Sequence, residues 1–191
     1  MVTMSRWKPD AQGRLIKAAI TLFDEQGYDA TTIAEIAAAA GLTKRTFFRH
    51  FSDKREVLFD GSRELQARWV AGIESAPPDA APMAAVSAGL HEVAELFADR
   101  HSLARMRSRI IAANPELQER ELIKLQSLAS AIKAALIDRG LSANAAMLAA
   151  QSGVTVFHVA FAHWVEQDDP AAFRRLIDES LQELRSVTSA R

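Results

Sequence analysis

The segment over residues 32–51 constrains the fold most, because it predicts two short helices joined by a tight turn. Thr32 and Glu35 in the sequence TIAE have the spacing of a capping box, in which two side chains satisfy the free N–H groups at a helix N-terminus. Gly41 then ends this short helix, and Thr43 can cap the next one. A short helix, a glycine-containing turn and a second short helix together make a helix-turn-helix arrangement.

The second of these helices carries both aromatic rings and positive charge, and a helical projection separates the two. At about 100° per residue, Phe47 and Phe51 fall on one face, whereas Arg45 and Arg49 fall on the opposite face. We therefore predict that the two phenylalanines pack on the preceding helices and that the two arginines point outward. An exposed arginine pair suits the DNA major groove, where arginine donates two hydrogen bonds to guanine. The alternative is a small surface helix on a generic helical bundle.

The distribution of charge is more informative than its total. The chain of 191 residues has a net charge of −1, but residues 41–55 carry +4 and the rest of the chain carries −5. A basic spot on an acidic body is typical of a phosphate-binding surface, although basic runs are also common on solvated faces. Lys44, His50 and Lys54 lie near helix ends, where the helix dipole and free N–H groups favour phosphates.

Several classes of protein are disfavoured by what the sequence lacks. The absence of cysteine rules out disulfides and thiolate metal sites and fits a reducing cytosol. The N-terminal sequence MVTMSRWKPD has no apolar segment of a secretory signal, and no run approaches the roughly 18 uninterrupted apolar residues of a membrane span. There is no metalloprotease motif, glycine-rich phosphate loop or nucleophile elbow. We therefore expect a cytoplasmic protein that is not an enzyme, binds no membrane and needs no metal or cofactor.

Residues 12–58 resemble the DNA-binding domain of the TetR family of transcriptional regulators. The likeness lies in the segments GYDATT, TIAEIAAAAGL and TFFRHF and in the lysine at position 54. It implies a homodimer with an N-terminal DNA-reading domain and an all-helical C-terminal ligand domain. The residues that we expect to contact double-stranded operator DNA are Thr32, Thr43, Lys44, Arg45, Thr46, Phe48, Arg49, His50 and Lys54.

Two positions depart from the pattern of that family. The family commonly has tyrosine where Phe48 stands, so a hydroxyl group that could bond a phosphate is missing here. The family often has glycine or another small residue where Arg45 stands. We therefore expect Arg45 to read a base that many relatives do not read.

The remainder of the chain predicts further helices and no strands. Strict alternation of apolar and polar residues is absent, whereas apolar residues recur at helical spacing in most segments. We predict an all-α fold of about nine helices, in which residues 52–74 form a long connector. The predicted domains are a helix-turn-helix DNA-binding domain over residues 1–56 and a helical ligand-binding and dimerisation domain over residues 57–191.

A stripe of small and apolar residues on the last two helices predicts a dimer interface. Small residues at helical spacing allow another helix to approach closely, although packing within one chain would produce the same stripe. The resemblance implies that the last two helices form a four-helix bundle in a homodimer, and a two-fold protein suits a palindromic operator. The predicted interface residues are Ala149, Gly153, Val156, Ala160, Trp164, Phe173, Ile177 and Leu181.

A short basic helix over residues 101–113 is the candidate wall of an effector site. Its apolar side carries Arg107, which needs an anionic partner because an unpaired buried charge is costly. That partner could be an acidic effector, a glutamate on the helix over residues 115–139, or water reached at the surface. Aromatic residues at helical spacing are more often plain core, but they can also line a cavity. The candidate ligand-binding residues are Phe97, Met106, Arg107, Ile110, Phe157 and Phe161.

The C-terminal half is similar to a TetR subgroup with acyl-CoA-like ligand-binding domains. The segments that carry this likeness are RMRSRIIAANPELQERELIKLQSLASAIKAAL and AAQSGVTVFHVAFAHWVE. The likeness implies a fatty acyl-CoA, a fatty acid or another long amphipathic anion as effector. We therefore predict a repressor that a small amphipathic effector releases from its operator. The alternative is an architectural DNA-binding protein that responds to no effector.

Overall fold

A computed structural model describes residues 10–189, and every regular element within that range is a helix. Residues 1–9, with the sequence MVTMSRWKP, lie outside the described residues. The prediction that this segment is not a secretory signal therefore stays a prediction. The helices are α1 Ala11–Gln26, α2 Ile33–Ala39, α3 Lys44–His50, α4 Glu56–Phe59, α5 Ser62–Ser75, α6 Pro82–Leu96, α7 His101–Ala112, α8 Pro115–Asp138, α9 Ala143–Glu166 and α10 Phe173–Thr188, with a 3-10 turn at Pro170–Ala172. The predicted all-α fold is confirmed. The described range holds ten α-helices because the predicted connector over residues 52–74 is divided into α4 and α5.

Local hydrogen bonds define α2 and α3. Thr32 and Glu35 form the predicted capping box, with 2.8 Å between the Thr32 backbone N and a Glu35 carboxylate oxygen. The turn after α2 contains Gly41 at a φ of 66°, a left-handed conformation that favours glycine. Thr43 then caps α3 by accepting a hydrogen bond of 3.1 Å from the Thr46 N–H. The helix-turn-helix arrangement that the sequence predicts is therefore present.

The first of two hydrophobic clusters joins the N-terminal helices to part of the C-terminal half. It contains residues of α1, α2 and α3, among them the fully buried Phe47, together with Ile110 and Ile111 of α7 and Leu117 of α8. One side of α7 therefore packs against α1. The core of the N-terminal helices consequently extends past residue 56, where the sequence placed the end of the first domain.

An ion-pair network crosses the same junction. The Glu56 carboxylate at the start of α4 accepts hydrogen bonds of 2.8 Å from Arg120 and 3.1 Å from Lys124, both on α8. Partial burial pushes the pKa of Glu56 up, but these hydrogen bonds and the two positive charges outweigh burial and lower the pKa below its ordinary value. The carboxylate therefore stays ionised at neutral pH and holds α4 to α8.

The second hydrophobic cluster is the core of the C-terminal half, and α9 runs through it. Trp69 of α5 and Trp164 of α9 are fully buried there, and the rings of Trp69 and Phe157 lie 5.8 Å apart. α9 packs against α6, α8 and α10. It is therefore the central helix of this half of the chain.

The predicted dimer-interface stripe lies inside this core. All eight of its residues are buried within a single chain: Ala149, Gly153, Val156, Ala160, Trp164, Phe173, Ile177 and Leu181. At Gly153 an added Cβ atom would lie 2.5 Å from Val86 Cγ1, so the close approach that this glycine permits is to α6 of the same chain. Packing within one chain therefore accounts for the burial of these residues, and their part in a dimer interface stays a prediction. Helical spacing identifies a buried stripe but cannot identify the helix that covers it.

α9 is long and apolar, although the sequence has no run of about 18 uninterrupted apolar residues. It has 24 residues and a mean hydropathy of 1.5 over its most apolar window, which by length and composition alone is enough to cross a membrane. The reason is that no Asp, Glu, Lys or Arg occurs between Ala143 and Val165. Core helices share this composition, and 44 % of that window is buried against the rest of the chain.

Replacing Gly153 by alanine tests the position of α9. At an exposed helical site the change would stabilise the protein by about 0.5–1 kcal/mol, because alanine favours the helix. Here the new methyl group would overlap Val86, so we expect the free energy of unfolding to fall by about 1–3 kcal/mol. Chemical denaturation measures the change. Gly61→Ala is the control, because a Cβ atom at Gly61 has no neighbour within 4 Å. A gain in stability at Gly153 would contradict the packing of α9 on α6.

Candidate nucleic-acid interface

Two phenylalanine rings anchor α3 and leave its opposite side in solvent. Phe47 and Phe51 are only 0 % and 3 % exposed, and their ring centroids lie 5.4 Å apart. The predicted burial of both rings is confirmed. Phe48 packs its ring against Phe47 at 5.6 Å but remains 55 % exposed. An aromatic ring therefore stands on the solvent side of this short helix.

The solvent side of α3 is a basic surface. Lys44, Arg45 and Arg49 are exposed, and among residues 10–189 no acidic side chain forms an ion pair with any of them. Their charges are therefore available to an anion. The residues that line one depression on this side are Thr43, Arg45, Thr46, Phe48 and Arg49, and we call them, with Lys44, the α3 basic surface.

The predicted threonine contacts already use hydroxyl groups within the protein. The Thr32 hydroxyl donates to a Glu35 carboxylate oxygen at 2.7 Å, and the Thr32 bonds lower the pKa of Glu35. The hydroxyls of Thr43 and Thr46 lie 3.0 Å apart and share a hydrogen bond. A DNA contact through Thr32 would therefore compete with the cap of α2.

Lys54 is predicted to contact a phosphate, and the structure gives its ammonium group two partners inside the chain. Lys54 Nζ donates hydrogen bonds of 2.6 Å to the Tyr28 carbonyl and 3.0 Å to the Thr31 carbonyl. It also lies 4.1 Å from the centre of the Tyr28 ring, within the range of a cation–π contact. These contacts fix the loop between α1 and α2. Since an ammonium group has three donors, one remains for a phosphate.

His50, the last residue of α3, is oriented partly toward the protein. Its ring lies 6.3 Å from that of Phe51, and its Nε2 atom is buried without a hydrogen-bond partner in the described part of the chain. This nitrogen is therefore withdrawn from solvent, unlike the guanidinium groups of Arg45 and Arg49. The DNA contact predicted for His50 stays a prediction.

A second candidate site is a cavity of about 680 Å³ between the N-terminal helices and the C-terminal core. The predicted ligand-binding residues that line this cavity are Phe97, Arg107, Phe157 and Phe161. Met106 and Ile110 do not line it but pack with the first hydrophobic cluster. Their side of α7 packs with that cluster and turns away from the cavity, so the ligand contacts predicted for these two residues stay predictions without support from this cavity.

Arg107 has its anionic partner within the chain. Its Nε donates a hydrogen bond of 2.7 Å to the Leu58 carbonyl, and its Nη1 lies 2.9 Å from the Glu121 carboxylate. The guanidinium carbon is also 5.1 Å from the centre of the Phe59 ring. The alternative of an internal salt bridge to a glutamate on α8 is therefore confirmed. Arg107 links α4, α7 and α8 in the cavity wall.

Most of the remaining wall was not predicted from the sequence. It includes apolar side chains from both halves of the chain, among them Ile16, Ile20, Leu58, Leu65 and Leu128. Each of these residues has the spacing of an ordinary packing residue in its own helix. No local signal could have found them, because the cavity exists only where the helices meet.

Known protein families match both halves of the chain. Residues 15–60 match the family model for bacterial regulatory proteins of the tetR family, and residues 80–189 match the model for the MftR C-terminal domain. The second match covers more than half of the chain. The chain belongs to the TetR family. The resemblance of residues 12–58 is thus confirmed, and the family is one of transcriptional regulators.

Curated TetR-type regulators match over the N-terminal part. The regulator TcmR of Streptomyces glaucescens is 38 % identical over 80 residues, which are 42 % of this chain and 35 % of TcmR. The negative regulator IcaR of the biofilm operon in Staphylococcus aureus is 41 % identical over 44 residues, which are 23 % of this chain and 24 % of IcaR. The matches thus span about a third or less of these relatives.

Solved structures of transcriptional regulators are similar to this chain over more than nine-tenths of its length. FadR from Bacillus subtilis in complex with stearoyl-CoA is similar with a TM-score of 0.62 and 21 % identity, over 93 % of this chain and 99 % of that one. FadR from Thermus thermophilus in complex with lauroyl-CoA has a TM-score of 0.57 and 21 % identity, over 94 % and 96 % of the two chains. At this identity the likeness establishes the fold alone.

Arg45→Ala and Arg49→Ala test the α3 basic surface. If each arginine reads a base, we expect each change to weaken binding to a selected operator by about 1–3 kcal/mol and to relax specificity at one position. Titration of the selected operator and of a random duplex measures both effects. Arg185→Ala, on the exposed end of α10, is the control. Equal losses on the two duplexes would contradict base reading and leave only phosphate contacts.

Proposed function

We propose that this protein is a ligand-responsive, sequence-specific DNA-binding repressor that acts as a homodimer in the cytoplasm. The observation that carries the proposal is the α3 basic surface, where Arg45 and Arg49 stand one helical turn apart without an acidic partner among the described residues. Membership of the TetR family supports DNA binding. The similarity to IcaR, a negative regulator, supports repression.

The chemistry of the α3 basic surface suits the major groove. Each arginine can donate two hydrogen bonds to the O6 and N7 atoms of guanine, and the exposed ring of Phe48 can contact a thymine methyl group. Lys44 and the remaining donor of Lys54 suit phosphates, which fix the orientation of the helix on the duplex. We therefore propose guanines at two positions of each operator half-site.

The cavity supports a response to a small amphipathic effector. Its volume lies within the range of about 300–1,000 Å³ that is usual for small-molecule sites, and aromatic rings line it. Because α1 and α4 form part of the wall, a bound ligand can favour one position of the N-terminal helices over another. Release from DNA requires only that the ligand binds more tightly to the conformation that does not fit the operator. The FadR structures support a fatty acyl-CoA as one candidate class of effector.

An architectural DNA-binding protein without an effector is the competing function. Such a protein needs no cavity that touches both its DNA-reading helices and its C-terminal core. The walls of the present cavity contain Ile20 of α1 as well as Phe157 of α9. The cavity therefore favours the ligand-responsive function.

Selection of operator DNA from random sequence, followed by release, tests the proposed function. We expect an inverted repeat whose half-sites lie about one helical turn apart. Mass spectrometry of the native protein then identifies any amphiphile that co-purifies, and titration of that compound should dissociate the operator complex. DNA binding without sequence preference would contradict the proposal that the protein is a sequence-specific regulator. Specific binding that no bound amphiphile reverses would favour the architectural alternative.

We propose further that the homodimer forms through the outward face of α8 and α9. Eight large hydrophobic side chains are exposed among the described residues, and six of them lie on these two helices, which is why we place the interface here. These six are Leu122, Ile123, Ile137, Met147, Leu148 and Val159. Gln126 of α8 and Gln151 of α9 lie 3.5 Å apart, so the exposed stripes of the two helices adjoin.

The charge pattern supports the same face. The exposed positions of α8 between 122 and 137 are Leu122, Ile123, Gln126, Ser127, Ser130, Ala134 and Ile137, none of which is charged. The outward side of α10 carries Arg174, Arg175, Asp178 and Glu179 instead. Since the cores of protein interfaces are depleted of charge, the face of α8 and α9 fits a second copy better than α10 does.

Leu148→Glu tests the proposed dimer face. We expect this change to shift the protein to a monomer, because a carboxylate would be buried in an apolar interface without a partner. Size-exclusion chromatography with light scattering measures the mass. Val187→Glu on α10 is the matched control, since Leu148 and Val187 are similarly exposed at 67 % and 70 %. A monomeric Val187→Glu variant beside a dimeric Leu148→Glu variant would place the interface on α10 and contradict the proposal.

A further inference from the structure

The charged side chains around the cavity limit which chemical class of ligand it can bind. We infer that, among the candidate amphipathic effectors, this cavity selects one with an apolar body and an uncharged polar end over a polyanion such as the acyl-CoA ligands of the FadR structures. This inference rests on the proposed function of the cavity as the effector site. It concerns only the chemical class of the ligand, and the proposal that the protein binds operator DNA does not depend on it.

Basic and acidic side chains are balanced in the cavity wall. The four basic residues are Lys17, Arg100, Arg107 and Lys124, and the four acidic residues are Asp10, Asp60, Glu64 and Glu121. The wall thus has no excess positive charge. A site that attracts polyanions from solution concentrates one sign of charge, and this wall does not.

Three of the four basic groups already have an acidic partner. The pairs are Arg107 with Glu121 at 2.9 Å, Arg100 with Glu64 at 3.3 Å, and Lys124 with Glu56 at 3.1 Å. An anionic group that took Arg107 or Arg100 would leave a carboxylate without its partner, whereas Glu56 would keep its pair with Arg120. At a partly buried site, the loss of that pair offsets the gain from the new contact. Only the exposed Lys17 lacks an acidic partner within the described range.

The two acidic groups on the α1 side of the cavity, Asp10 and Asp60, form no ion pair within the described range. The Asp60 carboxylate accepts a hydrogen bond of 2.7 Å from the Gln12 side chain, and no basic residue in the described range pairs with it. The Asp10 carboxylate accepts 2.7 Å from the Gly13 N–H at the start of α1. A phosphate or carboxylate on this side would face these two like charges, which repel it, against the single cation Lys17 of α1.

Three phenylalanine rings join the aliphatic side chains in the apolar part of the wall. The rings of Phe157 and Phe161 stack with centroids 5.6 Å apart, and Phe97 meets the edge of Phe161 at 5.6 Å. Ser108 supplies a hydroxyl group and His158 an imidazole ring to the same wall. The cavity therefore offers apolar surface to the body of a ligand and the uncharged Ser108 hydroxyl to its polar end.

A series of ligands with one tail and three head groups tests the inference. Decanol, decanoate and decanoyl-CoA share a ten-carbon chain and differ in charge. Displacement of the uncharged dye Nile red from the full-length protein gives each Kd, and release of the selected operator gives the response. We expect decanol to bind at least about tenfold more tightly than decanoyl-CoA, which corresponds to one lost ion pair.

Glu121→Gln isolates the role of charge balance. Removing this carboxylate leaves Arg107 without its acidic partner, so decanoate should gain about tenfold in affinity relative to decanol. Glu119→Gln, exposed on the same helix and outside the cavity wall, should leave the ratio unchanged. If Glu121→Gln fails to fold, Glu64→Gln makes the same test on Arg100 at a more exposed position.

The outcomes separate the inference from the proposed function. Tighter binding of decanoyl-CoA than of decanol by the unchanged protein would overturn the inference, as would a Glu121→Gln variant with an unchanged ratio. Failure of all three compounds to bind would also overturn it. In each of these cases the operator titration still decides whether the protein is a sequence-specific DNA-binding regulator.

Discussion

The packing of α7 against α1 is the contact on which the other features of the structure depend. Ile110 and Ile111 enter the core of the N-terminal helices, and Leu117 follows from the start of α8. Burial of these apolar side chains favours one position of α7, because a rotation about its axis would return them to water. The cavity lies beside this contact, so the position of its α1 and α7 walls depends on the same packing.

The same contact changes the interpretation of the basic residues on α7. A cationic helix near a cavity suggests an anion-binding site, but Arg107 is committed to the Leu58 carbonyl and to Glu121. Its role in the structure is to tie α4 to α8 across the junction, as Glu56 does with Arg120 and Lys124. In the proposed mechanism, an occupant of the cavity acts on this junction and thereby on α1 and α4.

α9 combines two environments in one helix that has no Asp, Glu, Lys or Arg between Ala143 and Val165. One side is buried among the tryptophans and phenylalanines of the C-terminal core, and Gly153 allows α6 to approach it. The other side is exposed and adjoins the uncharged outer side of α8. Burial of both sides stabilises such a helix, because the outer side also exposes apolar surface to water. The chain supplies the cover for one side, and a second copy is the proposed cover for the other.

The sequence by itself determined the features that depend on neighbouring residues in the chain. The capping box at Thr32, the cap at Thr43 and the opposed faces of α3 follow from spacings of three and four residues, which helix geometry converts directly into structure. The all-helical fold follows from the same periodicity.

Only the tertiary structure decided what covers each buried face. Gly153 contacts α6 of its own chain, Met106 and Ile110 turn toward α1, and Lys54 bonds the carbonyls of Tyr28 and Thr31. These partners are separated from one another by 23 or more residues along the chain, beyond the reach of any local pattern. A hydrophobic stripe predicts that one face of a helix is buried, because exposure of apolar surface to water is unfavourable. It does not identify the surface that packs against that face.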